Sequence, residues 1–188
     1  DPELVAALEA ECKAAGVPMR RLGRGGGVHV LDHGAAVPLY FIQDRGVCCP
    51  IVLLAFSALD VEVHRRFGAA IAAATRSAGR RAALVASGDL SHRLFPGAPA
   101  GYSPRGREFD EAVVSALRRG DRKAILRMED DLLDEAGECG YRSLVIALGA
   151  FPETGAEVLS YEGPFGVGYL VARFQVQGAL GVPQRERA

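Results

Sequence analysis

The chain has 188 residues, of which 49% are hydrophobic and 24% charged, and its mean hydropathy is +0.10. This composition is typical of a globular protein with enough residues for one hydrophobic core. The 22 basic and 23 acidic residues are interleaved and leave a net charge of −1, which argues against nucleic acid or an anionic membrane as the main partner.

Five helices are predicted from apolar residues that recur at helical spacing. In the first of them, Leu4, Leu8 and Cys12 share one face, and Gly16 follows as a stop signal. The predicted helices cover residues 3–15, 60–78, 107–119, 121–133 and 138–150.

Short apolar runs between the helices predict strands. Two of these runs, IVLLAF and AALVA, have the pattern of strands buried on both faces. Two later runs alternate like an antiparallel pair around the sequence GPFG. The segment VPLYFI is left open between a strand and the start of a buried helix. The predicted strands are residues 28–31, 51–56, 82–86, 156–162 and 167–176, with residues 37–42 as the open case.

This order of elements predicts one α/β domain over residues 1–178, with a central mixed β-sheet flanked by helices and a flexible tail at 179–188. We expect no signal peptide at the start of the chain, and no apolar run reaches the roughly 18 residues of a membrane span. The four cysteines, Cys12, Cys48, Cys49 and Cys139, form no CxxC pair and are expected to be reduced thiols. We therefore expect a cytoplasmic protein with no membrane contact, and homo-oligomerisation stays open.

The four histidines differ in their surroundings. His64 lies among charged residues and is expected on a solvated helix surface. His29 sits in a strand candidate and is left open between core, surface and site. His33 follows a strand and Asp32 and precedes Gly34, and strand ends are where α/β sheets place ligands.

A second polar cluster, SGDLSH, follows the predicted strand at 82–86. Burying Asp89, Ser91 and His92 without partners would be costly, so we expect these residues to have hydrogen-bond partners or a function. One alternative is a turn in which these side chains bond the local backbone. The other is catalysis by His92. A Ser91–His92 nucleophile pair is disfavoured, because adjacent side chains diverge and no GxSxG elbow is present.

A third cluster, GECGYRS, begins the predicted helix at 138–150. Glu138 is either a helix cap, favoured by the helix dipole, or a functional carboxylate. Cys139 is expected to have a lowered pKa if it is exposed at a helix N-terminus. The glycines on either side predict tight packing or a nearby ligand.

Four segments together resemble the class III extradiol dioxygenase catalytic-subunit superfamily, which includes the Memo-like proteins. These segments are LDHGAAVPLYFI (31–42), ASGDLSHRL (86–94), GECGYRSLVIALGAF (137–151) and YEGPFGVGYLVARF (161–174). The resemblance implies a non-haem Fe(II) site that takes a catechol-like aromatic diol and O₂. An alternative within the same superfamily is a Memo-like metal-binding or redox protein, or a partner of a radical-SAM enzyme, without dioxygenase activity.

The resemblance also implies a role for each site residue. His33 corresponds to a metal-ligating histidine, Glu138 to the carboxylate ligand, and Cys139 competes with Glu138 for that position. His92 corresponds to the catalytic base, and Asp89 orients the loop that carries it. The family's first metal histidine lies in a Pro-His motif that this sequence lacks. We therefore expect the chain to lack the N-terminal part of the fold and the metal site to be incomplete in it.

Overall fold

The computed structural model describes residues 1–22 and 31–174. In the described residues, seven α-helices come first in the chain and a C-terminal hairpin follows them. The helices are α1 (Pro2–Ala14), α2 (His33–Asp44), α3 (Val61–Ser77), α4 (Pro104–Arg119), α5 (Arg122–Leu126), α6 (Asp130–Ala136) and α7 (Tyr141–Ala150). The strands are β1 (Ala156–Glu162) and β2 (Tyr169–Phe174), joined through a 3-10 turn at Pro164–Gly166.

Helix α3 packs between α1 and α7. Its contact with α7 is backbone against backbone, because a Cβ at Gly68 would overlap the carbonyl oxygen of Ile146, and one at Gly149 would overlap that of Arg65. On its other side, Ala74 is fully buried against a small cluster that includes Leu8 of α1. Small residues thus let three helices form one layer.

The main hydrophobic core lies between α4, α6, α7 and the hairpin. Phe109, Val113 and Val145 are fully buried in it. Tyr141 is also buried and donates a hydrogen bond from its hydroxyl to the carbonyl oxygen of Ile125, at 2.8 Å. The polar end of this ring is therefore satisfied inside the core.

The predicted hairpin is confirmed. β1 and β2 pair antiparallel, with Ala156 opposite Phe174 and Glu162 opposite Tyr169, and the register is interrupted between Val158 and Ser160. The hairpin packs on α4, so it closes one side of the main core.

The predicted central mixed sheet is not confirmed. Within residues 1–22 and 31–174, the hairpin is the only paired sheet. Residues 51–56 and 82–86 form no ladder there, and the expected burial of both runs is wrong: Leu53 is 51% exposed and Val85 55%. An apolar run is buried only where another element covers it, and no described element covers these two. The predicted strand 28–31 falls outside the described residues except for Leu31.

The helix predictions hold, with shifted ends. The open segment 37–42 lies in α2, whose N-cap Asp32 accepts from the Ala35 N–H. α4 begins earlier than expected because Ser103 caps it and Pro104 occupies its first turn. The predicted helix 121–133 is two helices, α5 and α6, separated around Met128. No helix in the described part of the chain is long and apolar enough to cross a membrane.

Candidate functional site

Two loops, residues 87–92 and 137–140, touch through their backbones. Gly88 has φ +156°, and a Cβ on it would overlap the Cα of Gly140. The Cys139 N–H donates to the carbonyl oxygen of Asp89 at 3.3 Å, and the Asp89 N–H donates to Cys139 Sγ at 3.2 Å. Glycines at both 88 and 140 therefore let the two polar clusters of the sequence meet.

Asp89, His92 and Cys139 converge at this junction. A carboxylate oxygen, a ring nitrogen and the sulfur lie within 4.8 Å of one another. His92 Nδ1 is 2.6 Å from the carbonyl oxygen of Gly137, and His92 Nε2 is 3.3 Å from Asp89 Oδ2. We refer to Asp89, His92 and Cys139 as the donor triad.

The hydrogen bond to Gly137 decides what His92 offers to the triad. A carbonyl oxygen only accepts, so Nδ1 carries the proton and donates it to Gly137. In the neutral ring, the Nε2 lone pair then faces the Asp89 carboxylate. The Nε2 lone pair and the carboxylate repel each other, so a proton or a metal ion placed between them stabilises the arrangement.

The acidity of Cys139 differs from the sequence expectation. Burial raises the pKa of the Cys139 thiol, and the carboxylates of Asp89 and Glu138 raise it further. The hydrogen bond from the Asp89 N–H lowers this pKa but does not offset the rise. The expected lowering does not occur because burial and the two carboxylates outweigh the N–H of Asp89, and Cys139 lies before Gly140, the N-cap of α7. Formation of the thiolate here is therefore favoured by a bound cation.

Ser91 is fully buried, and all its polar groups have partners. Its hydroxyl donates to the carbonyl oxygen of Ala136 at 2.8 Å and accepts from the Arg93 N–H. Its carbonyl oxygen accepts from the Gly168 N–H, and its own N–H donates to Asp110. A hydroxyl fixed in this way is structural, in agreement with the argument against a serine nucleophile.

Asp110 is a buried acid that the sequence analysis did not single out. Its two oxygens accept from the Ser91 N–H at 2.8 Å and from the Tyr161 hydroxyl at 2.6 Å. Burial raises the pKa of Asp110 to about 6, although both hydrogen bonds oppose the shift. The signal was present in the sequence, because Asp110 shares a helix face with the buried Val114 and Leu117.

Comparisons with known proteins give the family of the chain. The family described as the catalytic LigB subunit of aromatic ring-opening dioxygenase matches residues 1–172. The chain belongs to this LigB family. A protein of Clostridium acetobutylicum whose name states no activity is 41% identical over 148 residues, or 77% of this chain. The match covers 31% of that relative, so the chain spans about a third of its length.

In this LigB-family chain, the Glu138 carboxylate caps α7. Its Oε2 accepts from the Tyr141 N–H at 2.6 Å, and its Oε1 lies 4.0 Å from Arg142. Burial raises the pKa of Glu138, and the Tyr141 N–H opposes the shift. The carboxylate that the resemblance implies as a ligand is not part of the donor triad.

His33 is exposed as the first residue of α2 and is also not part of the donor triad. The helix start nevertheless lies near the site, since a Cβ on Gly34 would be 3.9 Å from Ser87 Oγ. His29 lies outside the described residues.

The expectation that His64 lies on the surface is wrong, because its side chain is buried. Its Nδ1 donates to the carbonyl oxygen of Asp60 at 3.0 Å, and its Nε2 accepts from the Ser57 N–H at 3.4 Å. The neighbouring Glu62 and Arg65 side chains are 60% and 39% exposed, while the His64 ring bonds to Asp60 at the start of α3. His64 is thus a satisfied structural residue and is not part of the donor triad.

Proposed function

We propose that this chain carries part of a non-haem Fe(II) site of an extradiol-type dioxygenase that acts on a catechol-like aromatic diol and O₂. The observation that carries the proposal is the donor triad in a chain of the LigB family. Because the chain spans about a third of its relative, further groups of the site can come from outside it.

The donor set fits a divalent first-row metal ion. Carboxylate and thiolate are ligands that such ions accept, and the donor atoms of Asp89 and Cys139 lie within 4.8 Å of each other. His92 is not assigned as a ligand, so its Nε2 lone pair stays free. Between the two competing ligands, we favour Cys139, since the Glu138 carboxylate is already used to cap α7. His33 remains a proposed ligand on the resemblance alone. When bound, Fe(II) supplies a Lewis acid and an electron conduit between diol and O₂.

His92 is proposed as the base that takes a proton from a diol hydroxyl at Nε2. Its Nδ1–H is held by Gly137, so Nε2 presents the accepting lone pair. Asp89 Oδ2, at 3.3 Å, stabilises the imidazolium that forms. Asp89 therefore acts on the charge of His92 as well as on the orientation of the loop.

The test loads the protein anaerobically with Fe(II) and measures O₂ uptake with a panel of catechols. We expect O₂ uptake that is lost in His92→Gln, with the bound iron retained. We expect iron to be lost in Cys139→Ala but retained in Glu138→Gln, whose amide oxygen can still cap α7. Cys48→Ala, at an exposed thiol that is not part of the triad, is the matched control. Iron loss in Glu138→Gln with retention in Cys139→Ala would reverse the ligand assignment.

A second candidate is a Memo-like metal-binding or redox protein without dioxygenase activity, including a partner of a radical-SAM enzyme. The observation that favours it is the thiol in the triad, because a cysteine ligand is the Memo-like feature. Tight metal binding that depends on Cys139, with no O₂ uptake for any catechol by the full-length gene product, would support this candidate over the dioxygenase.

A further inference from the structure

Beneath the donor triad lies a buried polar array that the proposed chemistry does not use. Asp110, on α4, accepts from the Ser91 N–H at 2.8 Å and from the Tyr161 hydroxyl, on β1, at 2.6 Å. Ser91 lies between Asp89 and His92 in the chain. The array therefore joins the core helix and the hairpin to the backbone that carries two members of the triad.

The packing around this array leaves little freedom. A Cβ on Gly168 would overlap Asp110 Oδ2, and one on Gly106 would overlap Ser91 Oγ. The loop also runs along residues 166–168, with the Leu90 N–H donating to Gly168 and the Leu94 N–H to Gly166. Both oxygens of Asp110 thus accept a hydrogen bond, and the Ser91 N–H has one defined acceptor.

We propose that Asp110 is a positioning residue, which, held by Tyr161, fixes the Ser91 backbone so that Asp89 and His92 face Cys139. The proposal rests on the proposed function, because that function gives the donor triad its task. Stability of the fold does not account for a carboxylate at this place, since a fully buried acid is costly at neutral pH. Its second partner, Tyr161, lies outside the triad and is joined to it through Asp110.

The first measurement needs no metal. In ¹⁵N-labelled protein, long-range ¹H–¹⁵N spectra report which nitrogen of His92 carries the proton. We expect the Nδ1–H form in the wild type, because Nδ1 donates to Gly137, and a tautomer mixture or exchange broadening in Asp110→Ala. Tyr161→Phe removes only the hydroxyl and is expected to give a smaller change. If Asp110→Ala does not fold, Tyr161→Phe is the variant that tests the proposal.

Two further variants separate positioning from general loss of stability. Asp110→Asn keeps an oxygen for the Ser91 N–H and is expected to restore the wild-type His92 signals. Val113→Ala, fully buried one turn along α4, loosens the same core without touching the array. Its His92 signals are expected to match the wild type even where its loss of stability equals that of Asp110→Ala. Wild-type signals in Asp110→Ala, or altered signals in Val113→Ala of equal size, would overturn the proposal.

The second measurement titrates Co²⁺ alone and follows the sulfur-to-cobalt absorption. We expect Asp110→Ala to weaken Co²⁺ binding roughly 10–100-fold, as removal of an outer partner of a metal ligand does, while Asp110→Asn stays within about threefold of the wild type. If the wild type binds no Co²⁺ but His92 still responds to Asp110→Ala, the metal function fails and the positioning role stands. Wild-type Co²⁺ affinity in Asp110→Ala counts against positioning.

Discussion

The buried Asp110 carboxyl predicts a pH dependence of stability with a defined sign. Its pKa is raised from 3.8 to about 6 in the folded protein, first by burial. Between these two values the folded state keeps the proton while the unfolded state has lost it. The folded state thus binds more protons, so the contribution of Asp110 to stability is full below about pH 4 and is lost as the pH rises through about 6. A shift of about two pKa units corresponds to about 3 kcal/mol.

Asp110→Asn isolates this effect, because the amide cannot ionise. Urea unfolding of both proteins, metal-free, at pH 4, 5, 6 and 7 gives the difference in free energy of unfolding between wild type and variant. Other titrating groups cancel in this difference. We expect the wild type to lose about 2–3 kcal/mol relative to Asp110→Asn from pH 4 to 7. A difference that stays constant, or that moves in favour of the wild type as pH rises, would refute the assignment of Asp110 as a costly buried acid.

Two further substitutions test the junction and the core. Gly88→Ala places a Cβ against Gly140 at a backbone φ of +156°, and we expect a loss of about 3 kcal/mol in urea unfolding together with weaker Co²⁺ binding. Arg122→Ala removes the guanidinium that donates to the carbonyl oxygens of Leu148, Phe151 and Thr154 around the end of α7, and we expect a loss of about 2–3 kcal/mol with Co²⁺ binding unchanged.

Matched controls make both results interpretable. Gly79→Ala also places alanine at a positive φ, but nothing lies within 4 Å of its Cβ, so its cost measures backbone strain alone. An equal loss in Gly88→Ala and Gly79→Ala would contradict the close approach at Gly140. Arg122→Lys keeps the positive charge but loses the planar set of donors. Full stability of Arg122→Lys would show that charge alone, and not the hydrogen bonds, supports the end of α7.

The site shows where local sequence patterns stop being informative. Glu138 and Cys139 are neighbours, and the sequence left them as competing ligands. The backbone contact between Gly88 and Gly140 separates them, because it turns the Cys139 sulfur toward Asp89 and leaves the Glu138 carboxylate at the first N–H of α7. This contact joins residues about fifty positions apart, and no periodicity reports it.

The sequence by itself predicted α1, α3, α4, α7 and the hairpin, because apolar spacing of 3.6 or 2 residues reflects local backbone geometry. It also indicated the segments around His92 and Cys139, where polar residues and glycines interrupt apolar runs. Only the tertiary structure decided that His64 is buried, that Asp110 meets Ser91 and Tyr161, and that residues 51–56 and 82–86 are mostly exposed. Burial depends on which other element covers a side chain, and that is a property of long-range packing.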